Sequence, residues 1–373
     1  MDRIFLPLFM KYIDSCIDND FTDNYDVRRF GFRMGFKHKV RSFLASSVRV
    51  AGFLKPLENQ LARQRCLRFI EPHIGKIEWL YQSLSDEQSR QTLIQIFAYR
   101  ALGYRKVKLP LNNPDYWAYL EAIERQLKDA ESIDLGFKGW QAHKINLASV
   151  GYPVELFCRP SGVMAQYVLQ QYRCPTSWGA IEVSEGDTVL DAGGCYGDTA
   201  LYFACKANSK GEVYSFEFLP DNLEILRRNL TLNSNLSKRI HIVEHPLWSR
   251  TGERLFIVGN GPGTRVLPSA SCPKTKQITT LSIDDFVCKE SLGKVDFIKM
   301  DIEGAELQAL YGAAETIRRF QPKLAISVYH NLADFWTIPQ YLDTLKLRYR
   351  YYLRHFTIHA EETILFAETS QTQ

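Results

Sequence analysis

The chain has 373 residues, 45% of them hydrophobic, and its 46 basic and 42 acidic residues leave a net charge of +4. That length suits two domains with a sizeable core, while so small and dispersed a charge gives no ground for nucleic-acid binding. No apolar run is long enough to span a membrane, the start lacks a secretion signal, and the eight cysteines (16, 66, 158, 174, 195, 205, 272, 288) form no C-x-x-C pair, so the chain reads as a cytoplasmic protein with reduced thiols.

Residues 1–70 have a helix-like, locally basic pattern. Between positions 28 and 49 lie Arg28, Arg29, Arg33, Lys37, Lys39, Arg41 and Arg49 with no acid among them, interleaved with Phe30, Phe32, Phe36, Phe43 and Leu44. A solvated helix face is the simpler reading, and weak docking on an anionic membrane the alternative. Ser85 and Gln88 have capping-box spacing ahead of Leu93, Phe97 and Ala101, and Gly103 marks a stop, which predicts a helix over 86–102. Asn113-Pro114 opens another helix with Trp117, Leu120, Ile123 and Leu127 on one face. Residues 1–135 are thus expected to form a helical N-terminal domain. A connector follows over 136–180, with a hairpin at 145–157 broken by Gly151 and Pro153 and a helix at 163–172.

The third part, 181–373, is organised around DTVLDAGGCYGDTAL at 187–201. An apolar run ending in Asp191 and then Gly193, Gly194 and Gly197 reads as a buried parallel strand, a tight turn and a helix begun by Asp198 and Thr199. The dinucleotide fingerprint G-x-G-x-x-G fails, because Cys195 stands where its second glycine belongs. The acid before the glycines suits a ligand with a cationic amino group. The next apolar run, 213–216, ends in Glu217, and a carboxylate there can accept both hydroxyls of a ribose. Amino acid plus ribose describes S-adenosylmethionine; Phe218 and Asn222, just past Glu217, are assigned to the same cofactor site. A helix begun near Pro220, strands at 240–243 and 255–258, and a Gly/Pro/Ser-rich loop at 259–276 follow. The alternation predicts an α/β, mostly parallel, doubly wound sheet.

VDFIKMDIEGAE at 295–306 repeats the pattern of a strand ending in an acid, Asp301, then Glu303, Gly304 and a helix. A further strand, 324–328, runs into Tyr329-His330. From about 187 to 367 the chain resembles the FkbM-type family of S-adenosylmethionine-dependent methyltransferases, through VLDAGGCYGDTALYFA, VYSFEFLPDNLEILRRNL, VDFIKMDIEGAELQALYGA and the tail YYLRHF…ETILFA. One departure is Gly194-Cys195, where members commonly carry Ala-Asn. The resemblance implies a Rossmann-like seven-stranded sheet and O-methylation, often of sugar hydroxyls in glycans or of natural products. A hydroxyl acceptor needs a base within reach: Asp301, Glu303 and His330 are the candidates, with Lys299 as an orienting group. No three-ligand metal set is visible, and none is assigned. The expected function is O-methylation of a sugar in a glycan precursor or glycosylated metabolite. The alternatives are a small natural product such as a polyketide as acceptor, or a cofactor-binding, non-catalytic subunit.

Overall fold

A computed structural model of the chain describes residues 4–22, 24–26, 48–137, 139–269 and 276–369. Of the basic, phenylalanine-rich stretch at 28–49, residues 28–47 lie outside the described residues. Among the described residues no helix is long and apolar enough to cross a membrane, and the seven cysteines they include are free thiols.

By contacts the chain divides into two units, Met1–Asn113 with Thr357–Ala360, and Pro114–Phe356 with Glu361–Gln373. The first contains helices α1 (Phe5–Cys16), α2 (Val48–Ile70), α3 (Ile74–Ser83) and α4 (Glu87–Leu102). The i, i+4 spacing of Phe5, Phe9 and Ile13 places all three on the buried side of α1. Phe5 stacks on Phe9 and meets Phe97 edge-on. The start of α1 has no capping side chain of its own. Its free amides go instead to the buried Glu78 carboxylate of α3, 2.9 Å from Ile4 N and 3.0 Å from Phe5 N. The cap of α4 is Asp86, which accepts from Ser89 N at 2.8 Å, one residue beyond the Ser85 expected from sequence; both are good capping types, and the backbone geometry chose between them.

The unit boundary falls at Asn113/Pro114 and not near 135. Helix α5 (Pro114–Gln126) shows the reason: Leu120, Ile123 and, just beyond it, Leu127 join the core of the second unit with Val189, Phe203 and Phe297. After α5, strands Ser132–Asp134, Gln141–Asn146 and Glu155–Cys158 form an antiparallel sheet containing the expected hairpin. The helix expected at 163–172 is instead a short turn, Pro160–Val163, continued by the wider π-type turn Met164–Val168. Gln170, in the left-handed region at φ 51°, ends any continuation.

The second unit is built on a seven-stranded sheet of β1 (Thr188–Ala192), β2 (Glu212–Phe216), β3 (Ile240–Val243), β4 (Phe297–Met300), β5 (Lys323–Ser327), β6 (Tyr349–His355) and β7 (Thr363–Thr369). Its order is β6-β7-β5-β4-β1-β2-β3, parallel except for β7, which runs against both neighbours. Strand β1 is buried at all five positions, as a central strand covered on both faces must be. From β1 the chain moves outward to β3 and then returns to β4 on the other side of β1. The switch point therefore lies between β1 and β4, at whose carboxyl ends ligands of such sheets bind. Helix α6 (Asp198–Ala207) follows β1 and α7 (Pro220–Leu232) follows β2; α9 (Glu306–Tyr311) follows β4, after α8 (Ile283–Lys289). Asn229 of α7 and Asn233, the residue that ends it, grip the strand Glu155–Cys158: Asn233 bonds both backbone groups of Glu155 (3.0 and 2.6 Å) and Asn229 both of Phe157 (2.7 and 3.0 Å). The expected strand at 255–258 is present as Arg254–Val258, in a small sheet with Arg265–Leu267 and Gln277–Thr279. The segment expected as a plain loop over 259–276 thus contains a strand; its residues 270–275 lie outside the described residues.

Candidate active site

Register places Ser215 of β2, Asp191 of β1 and Lys299 of β4 side by side in one row across the sheet. Asp191 is fully buried and Lys299 is 1% exposed, with Nζ 3.1 Å from Asp191 Oδ1 and 2.6 Å from the Gly193 carbonyl oxygen. Asp191 Oδ2 accepts from Thr199 Oγ1 at 2.8 Å and Ser215 Oγ at 3.0 Å. Burial by itself would favour neutral Lys299, but Asp191 and Asp301 outweigh it and raise its pKa. Three expectations are corrected here. Asp191 does not offer its carboxylate to a ligand amino group, because its oxygens hold the glycine turn from inside. Thr199 spends its hydroxyl on Asp191. Lys299 does not orient an acceptor, being enclosed within the sheet.

Gly193 has φ 87°, and an added Cβ would collide with the Asp301 carbonyl oxygen. Only glycine lets the turn lie this close to the end of β4. A Cβ on Gly194 would strike the Ser215 hydroxyl, and one on Gly197 would press on Leu226 of α7. Cys195 takes the left-handed conformation at φ 43°, which asparagine tolerates better than cysteine.

Glu217 is 6% exposed. Its Oε1 accepts from the amides of Phe218 (2.6 Å) and Leu219 (2.8 Å), and its Oε2 from Asn222 Nδ2 (2.9 Å). Burial raises its pKa, and these three donors work in the other direction. A carboxylate has about four acceptor positions, so one on Oε2 remains for a ligand hydroxyl.

At the end of β4 the segment 301–306 turns through two left-handed residues, Glu303 (φ 56°) and Gly304 (φ 98°). Glu306, wholly buried, accepts from Ile302 N at 2.9 Å. Asp301 Oδ1 accepts from Tyr329 Oη at 3.0 Å. His330, only 3% exposed, lies with Nε2 3.5 Å from both Asp301 Oδ1 and Glu303 Oε2, and with Nδ1 2.9 Å from Glu306 Oε1. Burial opposes a charged imidazole here, but Glu303 and Glu306 prevail and lift its pKa to about 11. That raised pKa works against His330 as a general base, since an imidazolium has no lone pair to accept a proton. The sequence did bring His330 to this edge; it did not reveal Ser215, Tyr329 and Glu306 as partners, because only cross-strand register assembles them.

A cleft opens over these carboxyl ends. Gly193, Cys195, Glu217, Phe218, Asn222, Asp301 and Glu303 line it together with Gly261, Pro262, Thr264 and Val266. Asp198 is not among its lining residues. Its carboxyl is raised to about 6, chiefly by burial, with Lys299 lowering it and Asp191 raising it. A raised acid contributes stability below its ordinary pKa that is lost as pH rises through the folded value. Thermal unfolding of the ligand-free chain between about pH 4 and pH 7 should show that loss, and Asp198→Asn should flatten it. An identical pH profile in the variant would exclude Asp198 as the titrating group.

The strand order and the cleft at its switch point define a class I methyltransferase fold. Residues 191–353 match the methyltransferase FkbM domain. It is 29% identical over 142 residues to the hexuronic acid methyltransferase AglP of Haloferax volcanii, covering 37% of this chain and 54% of that protein. Its fold is similar to the crystal structure of methyltransferase FkbM from Methylobacillus flagellatus KT, with a TM-score of 0.50 and 23% identity over 80% of this chain and 59% of that one. The chain thus spans little more than half the length of these relatives.

Proposed function

We propose that the chain is an S-adenosylmethionine-dependent O-methyltransferase acting on a hydroxyl of a sugar, in a glycan precursor or glycosylated metabolite. The observation that carries this reading is one cleft lined by the glycine turn, by Glu217 with acceptor capacity left, and by Asp301. The residues fit the cofactor: Gly193 permits close approach, and Glu217 Oε2 suits a ribose hydroxyl. The relative that acts on hexuronic acid supports a sugar acceptor.

S-adenosylmethionine supplies a methyl group on a sulfonium, electrophilic enough for attack by an oxygen nucleophile. The protein's part is to position the acceptor and take its proton. Asp301 is placed to take that proton, since its Oδ1 is occupied by Tyr329, its Oδ2 is uncommitted among the described contacts, and it is 21% exposed at the cleft. Positioning the two reactants in line supplies the rest, up to roughly 7–11 kcal/mol in the best intramolecular cases.

Transfer of labelled methyl to a panel of hexuronic acids, neutral sugars and non-sugar alcohols tests the reading. Incorporation into the sugars supports it; binding of the cofactor product with no transfer to any acceptor would leave a non-catalytic cofactor-binding subunit. Glu217→Ala is expected to weaken cofactor binding by about 1–3 kcal/mol, measured calorimetrically, through loss of charge-assisted hydrogen bonds. Unchanged affinity would remove Glu217 from the site.

A further inference from the structure

The geometry points to a divalent-cation site at the end of β4, with Asp301, Glu303 and His330 Nε2 as ligands and Glu306 as the group that orients the imidazole. The site deepens the proposed function, since it borders the same cleft, and it rests on that reading only for its catalytic meaning.

His330 Nε2 is 3.5 Å from both Asp301 Oδ1 and Glu303 Oε2, longer than the 2.7–3.2 Å usual for N–H···O hydrogen bonds. Ligand atoms around an octahedral ion with bonds of about 2.1 Å stand roughly 3 Å apart, close to the 3.5 Å that separates Nε2 from each of these two carboxylate oxygens. Asp301, Glu306 and His330 each offer an atom within 4.8 Å of the others. Unsatisfied polar atoms at the same place also call for a partner. The His330 side chain is only 3% exposed, yet its Nε2 makes no well-formed hydrogen bond, and Oε2 of the fully buried Glu306 also has none. Buried polar atoms left this way are rare without a further partner.

Metal-ligating histidines present one nitrogen to the ion while a carboxylate holds the other, which fixes the ring. His330 Nδ1 lies 2.9 Å from Glu306 Oε1, and that carboxylate is itself held by Ile302 N. The left-handed backbone at Glu303 (φ 56°) turns its side chain back toward His330, a strained conformation of the kind that collects at functional sites. Two carboxylates and one imidazole without thiolate suit a first-row divalent ion such as Mn²⁺. Asp301 and Glu303 line the cleft, so an ion held there stands where it can coordinate an acceptor oxygen.

The test is a titration of the full chain, stripped with chelator and desalted, with Mn²⁺ followed by electron paramagnetic resonance. One saturable ion per chain is expected. Glu303→Gln and Glu306→Gln should each weaken binding by about 10–100-fold, with circular dichroism confirming the fold. Glu303 is partly exposed at the cleft (27%), which makes its variant the one least disturbing to folding. Absence of saturable binding to the unaltered chain, or undiminished binding to Glu303→Gln, would overturn the site and leave His330 as an imidazolium held by carboxylates. Saturable Mn²⁺ binding without methyl transfer to any acceptor would retire the proposed function and keep the site; transfer undiminished in the stripped chain, with no Mn²⁺ bound, would do the reverse.

Discussion

Asp301→Asn is expected to lower turnover by about 10²–10⁴-fold while affinity for the cofactor product stays nearly unchanged. The substitution keeps the size of the side chain and removes its basicity and charge. Asp301 stands at the carboxyl end of β4, beside the switch point, with Oδ1 held by Tyr329 and its carboxylate on the cleft. Calorimetry with S-adenosylhomocysteine and saturation kinetics separate its roles. If the residue served only to bind cofactor, affinity would fall and turnover at saturation would survive. Near-normal values of both would remove Asp301 from the chemistry, and Glu303 would be the remaining carboxylate on that side of the cleft.

Lys299→Met is expected to destabilise the second unit by about 3–5 kcal/mol, because it leaves the Asp191 carboxylate buried without its cation. Both members are shielded almost completely from water, at 1% and 0% exposure. The Thr199 and Ser215 hydroxyls would still donate to Asp191, but two neutral donors do not replace an ammonium. The loss should appear in urea unfolding of the unit that contains the sheet, with weaker cofactor binding as the Gly193 carbonyl is released. A change below about 1 kcal/mol would mean the pair merely offsets its own desolvation, as some buried pairs do.

The strand-turn-helix units at 187–201 and 295–310 were legible because each joins three local signals: a continuous apolar run, an acid where the run stops, and glycines where the backbone turns. Those signals also located Glu217 and Asp301 on the cleft. The role of Asp191 was not legible. The acid before a glycine turn looks the same whether it faces a ligand or a lysine, and Lys299 lies 108 residues away, brought alongside only by register. His330 shows the same limit: its place at the sheet edge follows from its strand, but its raised pKa follows from Glu303 and Glu306 beyond the neighbouring strand β4. Helix α5 was recognised as a helix but assigned to the wrong unit, since an apolar stripe says that a face is buried without saying against what. Asp86, which caps α4 in place of the expected Ser85, is an equally good capping type one residue on.

The grip of Asn229 and Asn233 on the strand Glu155–Cys158 bears on self-association. Alternate residues of a strand are about 6.6–6.8 Å apart, and residues four apart on a helix rise about 6 Å, so two amides one turn apart at the end of α7 match two successive peptide groups on one side of the strand. The strand's other side is paired with Gln141–Asn146. Its outward row of donors and acceptors, which would otherwise invite another chain to add a strand, is therefore already saturated by side chains. Replacing both asparagines by leucine would keep much of the bulk and uncover that row, converting a closed margin into a template for self-association.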